Sequence, residues 1–298
     1  MSPAEAHAGG TGWFPAFGSR HPRSTAEPSG PASHDGGPDN GPYLICLSYA
    51  GGTASVYRGW QRELTALGWR GRVVPVQLPG RGLRLREMPY TSMRQLSEAV
   101  AGAVADRFLP CDYSLFGHSM GALLAYEVAC ALRRGGAAGP RHLFVSGSRA
   151  PHLYGNRADH SLSDDELFRF VADLGGLGPE PSVGGAYFHQ RLPTLRADLR
   201  ACDGYRWQPR PPLPCPVTAF SGADDQLAPE SDVEAWRPYT SGSFLRRHLP
   251  GGHFFLNGPA RSVLLREVRA ELGRTPSGPG PGCAAQPVTP PRNAAWTY

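Results

Sequence analysis

The pentapeptide Gly117-His118-Ser119-Met120-Gly121 fits the pattern G-x-S-x-G, which offers a serine for nucleophilic chemistry. In a chain with 38 glycines the match alone is weak, so its flanks decide. An apolar run, YSLF, precedes it and an apolar helical pattern, ALLAYEVACAL, follows it. A strand, a tight turn and a helix in that order hold a serine on a strained elbow above a sheet, as in α/β-hydrolases. Glycine suits positions 117 and 121 because side chains there would collide with the neighbouring strand and helix. The helix N-terminus behind Ser119 puts a positive dipole end where an oxyanion would form.

A serine hydroxyl is a poor nucleophile until a base takes its proton. On such a sheet an acid and then a histidine follow from the carboxyl ends of later strands. Of ten histidines, only His248 and His253 lie beyond the penultimate strand pattern. His248 falls inside FLRRHL, where it packs on the sheet or meets solvent. His253 follows Pro250-Gly251-Gly252, a turn past the strand end, and is the expected base. For the acid, SGADDQLAP offers Asp224 and Asp225, of which only one can reach the imidazole. Counting G-x-x-D from Gly222 favours Asp225, leaving the other as a turn carboxylate bonded to backbone N–H groups. Acyl transfer also needs two N–H donors for the tetrahedral oxygen. Met120, next to the nucleophile, is one, and Ala50 in the Tyr49-Ala50-Gly51-Gly52 loop is the other, unless that loop is only a tight turn. The histidines are dispersed and no H-E-x-x-H occurs, so neither metal nor cofactor is expected.

These residues need a sheet to bring them together. Apolar runs at Tyr43–Leu47, Val73–Val76, Tyr113–Phe116, His142–Ser146, Val217–Phe220 and Phe244–Leu249 read as strands. Helical patterns at about Ser55–Leu67, Leu96–Phe108, the elbow to Leu132, and Ser262–Leu272 alternate with them, which indicates a doubly wound, mostly parallel α/β sheet. Between residues 150 and 214 no strand pattern appears. Ser163-Asp164-Asp165-Glu166 opens a helix as a capping box, and a second helical stretch contains a proline expected to kink or divide it. This insertion reads as a lid. Residues 1–42 and 274–298 are rich in Gly, Pro and Ser and are expected to be disordered tails around one domain at 43–273.

The composition excludes several classes. With 298 residues, 40% hydrophobic, the chain can bury a sizeable core, yet no run reaches the roughly 18 apolar residues of a membrane helix. The start lacks a signal-peptide pattern, so a cytoplasmic protein is expected. Six cysteines without a C-x-x-C pair read as buried thiols in a reducing compartment. All 30 basic residues are arginine, in no block with interleaved aromatics, so nucleic-acid binding is not expected. The net charge of +5 suits an acidic or phosphate-bearing partner.

Beyond these features, YAGGTASVYRGW (49–60), VQLPGRGLR (76–84), FGHSMGALLAYEVA (116–129), LPTLRADLRACDGY (192–205) and LPGGHFFL (249–256) resemble the type II thioesterases of polyketide and non-ribosomal peptide synthases. The resemblance spans about Tyr43 to Leu272, and the R-A-D inside the lid separates this family from other α/β-hydrolases. It implies Ser119, Asp225 and His253 as triad and Ala50 with Met120 as oxyanion hole. It further implies hydrolysis of acyl groups from the 4'-phosphopantetheine arm of carrier proteins, to clear misprimed or stalled units. Where the family has Phe-Pro before the oxyanion loop, this chain has Leu47-Ser48, which bears on acyl preference more than on mechanism. Tyr187, Phe188, Leu192, Leu195 and Trp207 are candidates to line an acyl chamber, with plain lid packing as the alternative. Arg81, Arg84 and Arg86 read as a solvated loop or a guide for an acidic carrier. The chain is expected to be a monomer. Other readings are a general esterase or lipase, a macrocyclising thioesterase, a chain-releasing fatty-acid synthase thioesterase, or a carrier-binding protein without activity.

Overall fold

Six runs of apolar residues become strands: β1 (Tyr43–Leu47), β2 (Arg72–Pro75), β3 (Tyr113–His118), β4 (Leu143–Ser146), β5 (Val217–Gly222) and β6 (Phe244–Leu249). The structure is a computed structural model and describes residues 12–15, 42–177 and 181–274. All five strand pairings are parallel, in the order β2-β1-β3-β4-β5-β6. Central β3 is buried along its whole length because helices cover both faces. The two edges differ in character. β2 ends in Pro75, which has no N–H to donate, and β6 carries Arg246 and Arg247, features that discourage pairing with a further strand.

Side chains alternate across β1. Leu44 and Cys46 join a layer with Trp60, Leu64 and Leu264, from α1 (Trp60–Ala66) and α7 (Arg261–Arg274). Ile45 and Leu47 face the other layer, built by α2 (Met93–Phe108), α3 (Met120–Arg134) and α6 (Glu230–Glu234). The chain leaves β1 towards β2 on one side and β3 towards β4 on the other. The switch point therefore lies between β1 and β3, and a crevice opens there at the carboxyl ends of the strands.

The helical expectations hold with local differences. The stretch 55–67 is a 3-10 turn at Ala54–Tyr57 followed by α1, because Gly59, with φ 86°, breaks the run. Helix α2 starts at Met93, three residues earlier than the apolar pattern, because Ser92 caps it. The lid holds α4 (Asp164–Asp173), opened by the Ser163–Glu166 capping box, and α5 (Pro181–Asp203). Pro193 does not divide α5. The carbonyl it leaves without a partner belongs to His189, and both residues are exposed, so water can take that bond.

Two expectations need correction. Residues 12–15 fall in the supposed N-terminal tail, yet Trp13 is buried, its carbonyl accepts from Gln77 N–H at 2.8 Å, and Phe14 meets Phe108 edge-on. Two adjacent aromatics supply an anchor that periodicity cannot register. Residues 1–11, 16–41 and 275–298, Cys283 included, lie outside the described residues. The arginine cluster is not a solvated loop either. Arg84 is buried beneath Trp13, 3.9 Å from the ring centroid, and Arg81 is buried in an ion pair, leaving only Arg86 exposed.

Candidate active site

Ser119 stands between β3 and α3 with φ 56° and ψ −122°, and no other described non-glycine residue has a positive φ. Strain of this kind survives only where the surroundings over-determine it. Here a Cβ on Gly117 would lie 2.0 Å from the Gly121 carbonyl oxygen, and one on Gly121 would lie 2.2 Å from that of Leu47. Ser119 N–H donates to the Ser146 carbonyl at 2.8 Å, which pins the elbow to β4.

The loop after β6 brings His253 over the sheet. Its Nε2 lies 3.0 Å from Ser119 Oγ, and its Nδ1 lies 2.9 and 3.1 Å from the two oxygens of Asp225. A carboxylate can only accept, so Nδ1 carries the proton and Nε2 is free to accept from the serine. Asp225 Oδ1 also takes the N–H groups of Leu227 and Ala228 at 3.0 and 3.1 Å. Asp224 is exposed and its backbone N–H bonds to Gly251, so Asp225 is the carboxylate that meets the imidazole. His248 is exposed and bonds to Ser221 at 3.0 Å.

A second imidazole, missed in the sequence reading, sits beside this chain. His118 is buried, its Nδ1 2.9 Å from Ser146 Oγ and its ring 5.2 Å from that of His253. Burial, and then the neighbouring His253, push its pKa well below the ordinary histidine value, so it stays neutral.

Ala50, Ser119 and Met120 line one small cavity of about 50 Å³. Among the described residues, neither the Ala50 nor the Met120 N–H has an acceptor. Its other walls are lid and loop residues, Tyr154, Phe170, Leu199 and Cys202 among them. Of the expected lining residues, Phe188, Leu192 and Leu195 lie behind these walls, in a cluster that Ala50, Phe170 and Leu199 also touch. Phe188 and Leu195 pack with Leu167 in a cluster between the lid helices, Leu192 rests against it, and Trp207 joins the main core beside Tyr239. The side chain of Tyr187 lies outside the described residues. Positions 188, 192, 195, 199 and 202 form one helical stripe. Sequence periodicity finds that stripe but cannot say which of its turns lies over Ser119. A larger depression of about 740 Å³ touches Tyr49, Arg58, Arg62, Arg191 and Arg261 and includes none of Ser119, Asp225 and His253. At the Leu47-Ser48 departure, Ser48 is fully buried, with no partner for its hydroxyl among the described residues.

A parallel sheet with a strained serine elbow and a histidine over the strand ends defines an α/β-hydrolase. The thioesterase-domain family model matches residues 42–272, and the chain belongs to the thioesterase family, hydrolases of thioesters. It is similar to the solved RedJ thioesterase of the prodiginine pathway of Streptomyces coelicolor: 65% identity, TM-score 0.74, covering 77% of this chain and 86% of that one. It is also similar to the type II thioesterase BorB from the borrelidin cluster: 34% identity, TM-score 0.70, covering 78% and 93%. The linear gramicidin dehydrogenase LgrE of Brevibacillus parabrevis is 39% identical over 225 residues, 74% of this chain and 84% of that protein. The name dehydrogenase denotes another chemistry, but β1 here runs into Ser48-Tyr49-Ala50-Gly51-Gly52 and not into a G-x-G-x-x-G dinucleotide loop. No helix among the described residues is long and apolar enough to cross a membrane.

Proposed function

We propose that this thioesterase is a type II enzyme, acting in trans on acyl groups carried by the 4'-phosphopantetheine arm of carrier proteins and removing units that stall a polyketide or non-ribosomal peptide synthase. Ser119, His253 and Asp225 are the triad, and Ala50 with Met120 the oxyanion hole. The observation that carries the reading is the continuous chain Ser119 Oγ, His253 Nε2, His253 Nδ1, Asp225 at 3.0 and 2.9 Å, on a cavity shared with both donors.

Ser119 Oγ attacks the thioester carbonyl as its proton passes to His253 Nε2. The tetrahedral oxygen takes hydrogen bonds from Ala50 and Met120 N–H. Collapse breaks the C–S bond, and His253 returns the proton to the leaving thiolate. Water then attacks the acyl-serine with His253 again as base, and the carboxylic acid leaves. Asp225 holds the tautomer and sits against the positive charge that develops on the ring. The protein needs no cofactor of its own in this scheme, because the arm belongs to the substrate. A cytoplasmic monomer suits it, and the buried thiols of Cys46, Cys130, Cys202 and Cys215 agree with a reducing compartment.

The test is intact-protein mass spectrometry of a carrier protein loaded with short or long acyl groups and incubated with wild type or Ser119→Ala. Loss of acyl mass with wild type alone is the expected result. An acyl-carrier left intact while small esters are cleaved would favour a general esterase. Equal hydrolysis by Ser119→Ala would overturn the triad.

A further inference from the structure

The R-A-D segment of α5, Arg196-Ala197-Asp198, stands outside the proposed triad, yet Asp198 is among the most buried carboxylates of the chain. It accepts two bonds from Arg81, Nη1 to Oδ2 at 2.6 Å and Nη2 to Oδ1 at 2.7 Å, and the two side chains are 1% and 4% exposed. Such a forked pair fixes orientation as well as distance. The third bond to Asp198 comes from the oxyanion loop: Gly51 N–H donates to Oδ2 at 2.8 Å. Arg81 Nη1 also donates to the Gly52 carbonyl at 3.3 Å, and its Nε to the Pro79 carbonyl at 3.2 Å. One turn earlier on α5, Thr194 Oγ1 donates to the Gly80 carbonyl at 2.7 Å, and Leu195 lies against Gly51.

The geometry of the loop says what this does. Residues 49–52 form a turn closed by Gly52 N–H to the Tyr49 carbonyl at 2.9 Å, with Gly51 at φ 72°, the type II form. The Tyr49 carbonyl and the Ala50 N–H belong to one trans peptide plane and point in opposite directions. Holding that carbonyl into the turn therefore turns the Ala50 N–H outwards. The far side of the turn is anchored as well. Asp198 takes the Gly51 N–H, and Arg81 takes the Gly52 carbonyl.

We propose that Asp198 is a positioning residue: clamped by Arg81, it fixes the oxyanion loop from the lid, so that the Ala50 donor and the second half of α5 form one unit. This rests on the reading above in which Ala50 N–H is an oxyanion donor. Any displacement of α5 from Thr194 onwards then misaligns the donor.

The test compares wild type, Asp198→Asn and the charge-balanced Arg81→Gln/Asp198→Asn, using nitrophenyl acetate bursts and acyl-N-acetylcysteamine turnover. The burst amplitude titrates active sites, so each acylation rate constant refers to folded enzyme only. Asp198→Asn is expected to lower that constant roughly 30-fold, since a donor displaced by about 1 Å costs on the order of a hundredfold. KM should stay within about threefold, and the charge-balanced double variant should recover part of the loss. A wild-type acylation constant per active site in Asp198→Asn overturns the proposal whatever its melting temperature. Hydrogen exchange on wild type decides the matter if the variants do not fold. Segments 48–53 and 194–203 are expected to exchange together, and exchange of 48–53 at the unprotected rate beside a protected 194–203 overturns the latch. Wild type that fails on acyl-carriers but gives the burst would sink the substrate reading and leave the latch testable.

Discussion

The elbow and the lid face each other across the same small cavity, but they are held in place by different means. Ser119 is fixed by backbone packing: two glycines two residues away with no space for a Cβ, and a backbone hydrogen bond to β4. Helix α5 is fixed by side chains from distant parts of the chain, since Arg81 and Asp198 are 117 residues apart and Gly80 and Thr194 are 114 apart. A site whose geometry is backbone sterics compresses into a five-residue motif. One whose geometry is long-range ion pairing leaves only scattered polar residues on otherwise ordinary helices and loops.

The largest test of that contrast is at the acid. Asp225→Asn removes the group that fixes the histidine tautomer and should lower kcat by about 10⁴, as in other serine triads. Asp224→Asn should stay within about threefold of wild type, because its side chain is exposed. Steady-state rates on an acyl-N-acetylcysteamine thioester measure both, and equal losses would mean that the pairing with His253 is not what matters. Next comes the elbow backbone. Gly121→Ala forces a methyl to within 2.2 Å of a carbonyl oxygen and should destabilise the fold by more than about 4 kcal/mol, read from urea unfolding. Wild-type stability in that variant would show that the turn is far more plastic than its contacts suggest.

The lid should respond more gently, and differently in its two halves. Phe188→Ala empties the cluster between α4 and α5, costing about 3 kcal/mol locally. Faster hydrogen exchange over 164–203 with little change in Ser119 acylation is the expected outcome. Leu199→Ala enlarges the cavity beside Ser119 and should shift the kcat/KM ratio of hexanoyl to acetyl thioesters by roughly tenfold in favour of the longer chain. If Phe188→Ala moved that ratio and Leu199→Ala did not, Phe188 rather than Leu199 would line the acyl chamber.

Much of this was legible beforehand because strands and elbows are local. Short apolar runs located all six strands, and the spacing after β5 and β6 pointed to Asp225 and His253, because loops at strand ends are short. What was hidden depends on contacts between segments far apart. Arg81 and Arg84 read as solvated because nothing adjacent says that Asp198 and Trp13 will cover them. The stripe 188–202 was visible as a stripe, but its alignment over the cavity is set by Thr194, Asp198 and their partners. His118 was hidden in plain view, because G-x-S-x-G leaves its second position open.

The finest test concerns two buried histidines, one in the elbow and one just before β4. His142 donates to or accepts from Thr218 Oγ1 at 2.8 Å, and burial pushes its pKa down from the usual 6.5 to about 4. Above about pH 6.5 it is neutral folded and unfolded and adds no pH dependence. As pH falls from there towards 4, the unfolded chain takes up a proton that the folded chain refuses, so stability falls. At pH 5 the loss from this one residue is about 2 kcal/mol. His118, pushed down in the same direction, adds to the slope. Urea unfolding at pH 7.5 and 5.0 should therefore show His142→Gln losing less stability than wild type between the two, with the rest of the slope surviving. If that variant kept the full wild-type slope, His142 would already be charged in the folded protein, and the acid sensitivity would lie with the elbow and its partners alone.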